Sequence, residues 1–389
     1  MGMGHVRVLQ VTPGYRRRGA ESHVLNLMLG MRERQVSVSL ALFYDDEVAQ
    51  EARRLGLDVH VIRKRVRGDP SVVFRLAKLI RQERFQIVHT HLINGNFYGR
   101  MAGRLGGKCC VLSTMHSHRE ALAVSPEWVK SLAYRQDIFM ARFSDKVISV
   151  TEGLRAQLIK DGFSENHIKV IPGCIDTDRY QPDRADREAS RKEFGISDQE
   201  FVVGTVGGLV REKRLDLLLQ VAREVLLAGV PARILIAGEG YLADELKELA
   251  KGLEIEDKVI FAGWCSDVPH VVSAMDAFAL CSSTETTSMV IVEAMAMRRP
   301  IVAMQVGDLA ETFTEGVSGH FVPSGDIHKM TEVLLRLYRD PEERQRMGEE
   351  GRKEALEKFS RGKVVAGVLQ AYEEVLQARR AREHRGTTR

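Results

Sequence analysis

The stretch Cys281–Met297, CSSTETTSMVIVEAMAM, joins a short apolar run to a helix that opens on hydroxyl and carboxylate side chains. The run Asp276–Leu280 before it predicts a buried strand, and Thr287 or Ser288 suits the N-cap of a helix that continues through Met297. A helix start leaves backbone N–H groups unpaired and carries partial positive charge, which favours a phosphate. The stretch therefore predicts an anion site at a strand-to-helix junction.

Two glutamates extend this predicted site. Glu293 lies five residues after Ser288, so it projects roughly 7 Å along the helix axis, about the reach from a diphosphate to a ribose. A carboxylate there can accept hydrogen bonds from two sugar hydroxyls, while Glu285 stays in the loop beside the phosphates. An amphipathic helix with two surface glutamates explains the same pattern equally well, so the stretch alone leaves both readings open.

Composition describes an ordinary globular protein of more than one domain. The chain has 389 residues, of which 44% are hydrophobic and 28% charged. No apolar run approaches the length of a bilayer crossing, and the chain enters a predicted strand at Val6, so no signal peptide is predicted. Five cysteines without metal-ligand spacing indicate reduced thiols and a cytoplasmic location.

Charge is distributed unevenly along the chain. Residues 1–180 contain 28 Lys and Arg against 18 Asp and Glu, a net charge of +10, and the remainder has a net charge of −6. A basic first half favours an anionic acceptor, or weak peripheral attraction to the inner face of an anionic membrane. An ordinary solvated arginine-rich face explains the same excess. No nucleic-acid partner is predicted.

Short β-branched runs alternate with helical stretches in the first half, which predicts parallel strands covered by helices on both faces. The predicted strands are Val6–Val11, Val36–Leu42, Val59–Ile62, Ile87–Thr90, Cys110–Met115, Lys146–Val150 and Ile168–Ile171. The predicted helices are Glu21–Arg34, Ser71–Arg84, Asn96–Leu105 and Pro126–Arg142.

The alternation restarts after a polar passage, Asp176–Asp198, which is predicted to be an interdomain linker. Further predicted strands are Phe201–Val206, Arg233–Ala237, Val259–Ala262, Asp276–Leu280 and Ile301–Met304, and further predicted helices are Arg214–Leu227, Tyr241–Lys251 and Val268–Ala274. The predicted fold is two doubly wound, Rossmann-like α/β domains facing a cleft. Their predicted bounds are 1–180 and 181–362. A last helix, about Lys363–Arg380, returns to the first domain and ends in a frayed tail from Ala381.

Two glycine-containing turns follow predicted strands. Thr12–Ala20, TPGYRRRGA, contains Gly19 behind three arginines, and Val202–Leu219 contains Gly208 with the cations Arg211 and Lys213. Neither turn has the spacing of a dinucleotide fingerprint or a P-loop. Cations at the second turn would stabilise a diphosphate leaving group, whereas a solvated basic turn is the ordinary alternative.

Histidines and a pair of aspartates complete the candidates. His116 follows a predicted strand and would project into the cleft, where it could hydrogen-bond a sugar hydroxyl or steer the acceptor. A lone histidine at a strand end is more often an ordinary surface group. His89 and His91 lie on one side of a strand end, but no third ligand has recognisable metal spacing, so a structural or acceptor-lining role is predicted. Asp176 and Asp178 form an Asp-x-Asp at the predicted domain boundary, where a turn is favoured over a metal site.

These pieces together resemble the family 4 glycosyltransferases, which are retaining enzymes with the GT-B fold, over nearly the whole chain. The strongest element is Glu285 and Glu293 followed by Ala-Met-Ala, similar to the family's signature of two glutamates separated by seven residues. Supporting segments are RGAE at Arg18–Glu21, VHTHL at Val88–Leu92, His116, VIPGCIDTDRY at Val170–Tyr180, IAGEG at Ile236–Gly240, FAGW at Phe261–Trp264, RRPIVA at Arg298–Ala303 and SGHFVPSGD at Ser318–Asp326.

The resemblance implies transfer of a sugar from a nucleotide diphosphate sugar to an acceptor hydroxyl, in glycan, polysaccharide or glycolipid biosynthesis. It implies retained anomeric configuration, no metal and no cofactor beyond the donor. By position, Glu293 would hold the ribose and Glu285 would lie by the donor sugar. The remaining implied contacts are Thr287, Ser288, Met289 and Lys213 at the diphosphate, Gly19 in a closing loop, His116 at the donor sugar, and Gly238 and Trp264 beside the nucleoside.

One departure concerns phosphate binding. The family usually has arginine where this chain has Gly208, and Arg211 is predicted to supply that charge instead. Three alternatives remain at this stage: a nucleotide-sugar epimerase of the same fold, a noncatalytic sugar-nucleotide binder, and a metal-dependent transferase using Asp176 and Asp178. The sequence leaves open the sugar, the nucleotide, the linkage, the oligomeric state, and whether the acceptor is a glycan, a lipid-linked molecule or a small molecule.

Overall fold

A computed structural model describes residues 6–14, 19–66, 68–118, 127–182 and 184–386. They form two compact α/β units. The first consists of the described residues up to Ile175 together with those from Arg361 onward, and the second runs from Asp176 to Ser360. These bounds lie a few residues from the predicted ones. Arg352 explains part of the shift, because its guanidinium donates to the carbonyl of Tyr180 (2.7 Å) and to the side chain of Gln181 (2.9 Å) within the second unit.

The first unit contains a parallel sheet of seven strands in the order β3-β2-β1-β4-β5-β6-β7. The strands are β1 (Arg7–Thr12), β2 (Ser37–Leu42), β3 (Asp58–Val61), β4 (Ile87–His91), β5 (Cys110–Met115), β6 (Lys146–Ser149) and β7 (Ile168–Val170). Every residue of β4 is buried, including two histidines and a threonine, so this strand places polar groups inside the core.

Helices cover this sheet. They are α1 (Gly19–Glu33), α2 (Glu47–Arg54), α3 (Ser71–Gln82), α4 (Leu92–Leu105), α5 (Glu127–Ala141), α6 (Glu152–Lys160) and the C-terminal α14 (Arg361–Gly386). Helices α2 and α6 were not predicted, because α2 buries only the small residues Val48, Ala49 and Ala52 and α6 only Leu154 and Leu158. Helix α4 starts at Leu92 rather than Asn96.

The C-terminal helix packs into the core of the first unit. Val365 and Tyr372 lie in one buried cluster with Val8, Ile87 and Leu112. The predicted frayed tail is wrong for the described residues, since α14 stays helical through Gly386. One i,i+4 ion pair, from Arg379 to Glu383 at 3.1 Å, supports that last section.

The second unit contains a parallel sheet of six strands in the order β10-β9-β8-β11-β12-β13. The strands are β8 (Phe201–Val206), β9 (Ala232–Ala237), β10 (Val259–Gly263), β11 (Ala277–Leu280), β12 (Ile301–Met304) and β13 (Gly319–Val322). The helices are α7 (Arg184–Glu193), α8 (Leu215–Leu227), α9 (Ala243–Gly252), α10 (Val268–Ser273), α11 (Met289–Ala296), α12 (Ile327–Arg339) and α13 (Pro341–Phe359).

The predicted linker 176–198 is wrong as a description of this passage, because it contains helix α7. Two arginines fasten α7 to the second unit. Arg187 forms an ion pair with Asp276 (2.7 Å) and donates to the carbonyl of Ser273 (2.8 Å), and Arg191 also reaches Asp276 (3.3 Å). Polar composition suggested a linker, but these charges have buried partners that only the fold supplies.

Both sheets reverse their strand order at one place. In the first the reversal lies between β1 and β4, and in the second between β8 and β11. Loops leaving the two strands at such a point diverge to opposite sides, which opens a crevice at the carboxyl edge where ligands of doubly wound sheets bind. The predicted class, two parallel doubly wound Rossmann-like domains, is confirmed.

Among the described residues, no helix combines the length and the apolar character that a bilayer crossing requires.

Candidate functional site

Glycines shape the crevice between β8 and β11. Gly238, after β9, has φ +137°, and a Cβ there would collide with the carbonyl oxygen of Gly207. Gly307, after β12, has φ +52°, and a Cβ there would collide with the carbonyl oxygen of Glu285. Four loops of the second unit therefore pack backbone against backbone, which only glycine permits at these positions.

An ion pair spans this crevice. The Nζ of Lys213, in the turn after β8, lies 2.6 Å from Oε1 of Glu285, in the loop after β11. Both side chains are largely buried. The backbone N–H of Ser283 donates to the carbonyl of Glu212 at 2.8 Å, so the two loops are also joined through their backbones. Lys213 and Glu285, predicted separately from two segments, are thus brought together by the fold.

The start of α11 presents hydroxyl groups for which the described structure supplies no partner. Ser288 occupies the N-cap position, as predicted, but its side chain makes no capping hydrogen bond. Thr287 Oγ1 and Ser288 Oγ are both buried, and neither has a hydrogen-bond partner among the described residues. A buried hydroxyl without a partner costs free energy, so such groups mark a place where a ligand completes the bonding.

The remaining residues predicted to bind the donor lie in both units. Met289 begins α11, and Glu293, one turn further along, is half-buried. Trp264 is exposed and follows Gly263, whose φ is +67°. Gly19 is exposed in the first unit as the first residue of α1; the arginines at 16–18 lie outside the described residues.

The position that lacks the family arginine has room for a side chain. The nearest atom to a Cβ on Gly208 would be 3.7 Å away, which is ordinary contact. Arg211 is exposed and its backbone N–H donates to the hydroxyl of Tyr241 at 3.2 Å. The turn at Arg211 is therefore anchored through its backbone, and a phosphate-binding role for its exposed side chain stays a prediction.

In the first unit, His116 ends a hydrogen-bonded chain that begins inside the core. Nε2 of His116 lies 3.1 Å from Nδ1 of His91, and Nε2 of His91 lies 2.8 Å from Oε1 of Gln10. The amide nitrogen of Gln10 donates to the hydroxyl of Tyr372 on α14 at 3.0 Å. Since Oε1 only accepts, His91 carries its proton on Nε2 and accepts on Nδ1 from the Nε2–H of His116.

The chain continues from Tyr372 to the next strand. Nδ1 of His89 lies 2.7 Å from the hydroxyl of Tyr372, and Nε2 of His89 lies 2.7 Å from Oγ1 of Thr114. His89 and His91 thus bond to protein groups at both ring nitrogens. Of the two roles predicted for His89 and His91, structural or acceptor-lining, this arrangement supports the structural one.

Burial keeps these histidines neutral. It lowers the pKa of His23 to about 4 and that of His89 to about 3, where the charge of neighbouring His23 adds to the effect. Burial, reinforced by the other histidines, also holds the pKa values of His91 and His116 well below the ordinary value. A neutral His116 protonated at Nε2 has a lone pair at Nδ1, which accepts a hydrogen bond from a hydroxyl.

Gln10, His23 and Tyr372 were missed by sequence reasoning. The available signal was Gln10, a polar residue inside the buried strand RVLQVT. No pattern links Gln10 to Tyr372, because 362 positions separate them.

The structure gives no metal-ligand cluster within its described residues, where no three His, Cys, Asp or Glu side chains are grouped to hold an ion. Asp176 instead accepts backbone N–H bonds from Asp178 (3.2 Å) and Arg179 (3.4 Å), which is the turn that the sequence favoured.

Family models match most of the chain. Residues 17–179 match the model described as Glycosyltransferase Family 4, and residues 186–354 match the model described as Glycosyl transferases group 1. The chain belongs to glycosyltransferase family 4. The matched ranges fall one on each α/β unit, and the glycosyltransferase activity predicted from the sequence is confirmed.

Relatives of this family 4 glycosyltransferase match most of its length. It is 26% identical to N-acetyl-alpha-D-glucosaminyl L-malate synthase of Bacillus anthracis over 79% of the chain and 80% of that protein. It is 25% identical to UDP-Gal:alpha-D-GlcNAc-diphosphoundecaprenol alpha-1,3-galactosyltransferase of Escherichia coli over 70% of the chain and 71% of that protein. The crystal structure of Anabaena HepE in complex with UDP and glucose superposes with a TM-score of 0.85 at 20% identity, covering 95% of the chain and 100% of HepE, which confirms the GT-B fold.

Proposed function

We propose that this glycosyltransferase moves a sugar from a uridine diphosphate sugar to a hydroxyl of a lipid-borne acceptor, with retained anomeric configuration and no metal ion. The observation that carries the proposal is the start of α11, where two buried hydroxyls that have no partner in the described part of the chain lie beside the Lys213–Glu285 ion pair. Unpaired hydroxyls and free helix N–H groups accommodate phosphate oxygens, and the lysine supplies a balancing charge.

The assignment of roles follows the geometry of the second unit. Thr287, Ser288 and the backbone N–H of Met289 bind the diphosphate, and Lys213 neutralises it. Glu293, on the same helix, accepts hydrogen bonds from the ribose. Glu285 keeps Lys213 oriented in the free protein and lies toward the donor sugar when the lysine engages phosphate.

The chemistry depends on stabilising the leaving group. As the bond from the anomeric carbon to the phosphate oxygen breaks, negative charge grows on the nucleoside diphosphate. Lys213 and the fixed donors of α11 stabilise that charge more than they stabilise the bound donor. The acceptor hydroxyl forms its new bond on the face that the phosphate leaves, and its proton passes to the departing phosphate, so that configuration is retained.

His116 is assigned to a sugar hydroxyl. Its neutral ring, protonated at Nε2 and held by His91, offers Nδ1 as a hydrogen-bond acceptor without adding charge. This recognition positions a sugar ligand and takes no part in proton transfer.

The donor and acceptor classes rest on one relative and on charge. The E. coli relative is named for UDP-Gal and for a diphosphoundecaprenol-linked sugar. The excess of cations in residues 1–180 of this chain favours an acceptor that carries phosphate at a membrane surface. A cytoplasmic location, peripheral to the inner face of the membrane, follows from that acceptor.

The donor is tested by thermal shift with UDP-, GDP-, ADP- and dTDP-sugars, because a ligand that binds the folded state raises the melting temperature. We expect the UDP-sugars alone to stabilise the protein. Stabilisation only by another nucleotide sugar would contradict the uridine donor and leave the transferase class intact.

Turnover with a prenyl diphosphate-linked acceptor tests the reaction. Proton NMR of the product reports the anomeric configuration, and an excess of EDTA reports metal dependence. We expect retention and full activity in EDTA. Conversion of the donor sugar to its epimer without acceptor would indicate an epimerase, and donor binding without turnover on any acceptor would indicate a noncatalytic binder.

A further inference from the structure

Helix α5 of the first unit turns large apolar side chains to the solvent. Trp128, Leu132 and Phe139 are 69%, 60% and 57% exposed, and Phe143, just past the helix, is also exposed. At 3.6 residues per turn the first three lie within roughly 40° of one another around the helix axis. They form one stripe, called here the α5 face, rather than scattered surface residues.

The opposite side of α5 is held in place by polar contacts. Asp137 forms a buried ion pair with Arg100 of α4, and the hydroxyl of Tyr134 donates to Asp161 at 2.6 Å. The helix therefore buries a carboxylate and exposes aromatic rings. The same helix also buries Tyr134, Met140 and Ala141, so it carries apolar residues on more than one side. The exposed stripe therefore indicates a further apolar partner.

Charge around the α5 face is positive. Arg135 and Arg142 are exposed at its edge, and the guanidinium of Arg142 lies 5.4 Å from the centre of the Phe139 ring. The exposed positions of α5 whose side chains the structure describes carry no carboxylate. Two copies of this face would bring like charges together across a twofold axis, which disfavours a homodimer through it.

We propose that the α5 face seats this glycosyltransferase on the surface of an anionic lipid bilayer. Trp128, Leu132 and Phe139 enter the boundary between headgroups and acyl chains, and Arg135 and Arg142 bind lipid phosphates. A short helix lying flat, with aromatic and aliphatic residues on one face and arginines at its edge, has the pattern of an interfacial anchor. The inference rests on the lipid-borne acceptor proposed above and names the surface that brings the enzyme to it.

A fluorescence experiment tests the contact in the intact protein. The chain contains two tryptophans, Trp128 and Trp264, so the Trp264→Phe variant leaves Trp128 as the only reporter. We expect its emission to shift to shorter wavelength with vesicles of phosphatidylcholine and phosphatidylglycerol. An unchanged emission spectrum at vesicle concentrations that sediment the protein would overturn the proposal.

Co-sedimentation with the same vesicles tests whether Leu132 and Phe139 contribute to membrane binding. The variant Leu132→Gln/Phe139→Gln should lose more than about 10-fold in vesicle affinity, because it removes most of the inserted apolar area. The matched control is Phe74→Gln on α3, which removes a phenylalanine of the same unit that is more exposed (67%) than Phe139 and should bind as the parent does. Equal loss in both variants, or in neither, would contradict the assignment of this surface.

Charge reversal separates lipid from protein partners. Arg135→Glu/Arg142→Glu should weaken binding to anionic vesicles by at least roughly 30-fold, from about a factor of five for each arginine lost, and leave binding to phosphatidylcholine vesicles unchanged. A dimer on size exclusion that the apolar double variant dissociates would identify a second copy as the occupant and overturn the proposal. Vesicle binding without sugar transfer would refute the proposed function alone, and transfer to a detergent-dispersed acceptor without vesicle binding would refute this inference alone.

Discussion

Both sheets reverse their strand order at one place, but the side chains that meet there are neutral in the first unit and charged in the second. At the reversal between β1 and β4, Gln10 and His91 join neighbouring strands through a neutral, fully buried hydrogen bond. At the reversal between β8 and β11, Lys213 and Glu285 join the loops beyond the strands through an ion pair. The same strand order thus gives a rigid neutral edge in one unit and a charged one in the other.

The depth of each contact explains the difference. Gln10 and His91 belong to strands within the sheet, where desolvation disfavours a charged imidazole. Lys213 and Glu285 lie past the strand ends and keep some access to water, so a charged pair is tolerated. The first edge can orient a ligand without charge, and the second can stabilise a charge that develops during reaction.

The largest effect is expected at the charged edge. Lys213→Ala should lower kcat by about 10²- to 10³-fold, the cost of removing one preorganised group that stabilises a leaving group. Steady-state transfer rates measure it, with Lys251→Ala, an exposed lysine of the same unit, as the control. A loss below about fivefold would remove Lys213 from the leaving-group site.

The next largest effect is expected at Glu293, on helix α11 beside the charged edge. Glu293→Gln should weaken donor binding by about 10- to 100-fold, because hydrogen bonds to a charged acceptor contribute about 1.5–3 kcal/mol. Calorimetric titration with the donor measures it, and Glu248→Gln on exposed α9 is the control. An unchanged donor affinity would place the ribose elsewhere.

At the neutral edge, substitution of Gln10 should change the stability of the first unit. Gln10→Leu leaves the Tyr372 hydroxyl and the His91 ring without their partner, which should destabilise the first unit by about 2–4 kcal/mol. Scanning calorimetry should show one transition moving to lower temperature, whereas donor binding by the second unit stays unchanged. If Gln10→Leu instead lowered donor affinity and left the melting temperature unchanged, the neutral edge would act in donor binding rather than in stability.

Acidification should also act on the first unit. His23 and His89 titrate near 4 and 3 when folded, so between those values and about 6.5 the unfolded chain binds more protons and stability falls as pH falls. Each histidine contributes at most about 1.4 kcal/mol per pH unit within that window. Melting curves from pH 7.5 to 5 measure the slope, which His89→Asn should reduce; an equal slope in that variant would assign the effect to other groups.

The smallest effect is expected at Thr287, where one substitution shows whether the hydroxyl contacts a ligand or supports the fold. Thr287→Val removes a buried hydroxyl that has no partner among the described residues, so the free protein should be equally stable or more stable by up to about 1 kcal/mol. Donor affinity should fall about fivefold, the value of one hydrogen bond. Melting and titration of the same variant test both signs, and a loss of stability with unchanged affinity would show that the hydroxyl is structural.

Local sequence patterns identified which loops carry functional residues, but they did not predict the contacts between those loops. Glu285, Glu293 and Lys213 were found because helix starts and cations at strand ends have recognisable spacing. The passage 176–198 misled because polar composition cannot distinguish a solvated linker from helix α7, whose arginines pair with Asp276.

The amino-acid sequence by itself determined the two parallel sheets, the family, and which loops carry carboxylates, cations and hydroxyls, because strand periodicity and helix-start chemistry are local. Only the tertiary structure decided that Lys213 pairs with Glu285, that His116 is held through Gln10 by a tyrosine from the last helix, and that α5 turns its aromatic side to solvent. Each of these depends on segments that are distant in the chain and adjacent in the fold, and desolvation then sets whether the groups that meet are charged or neutral.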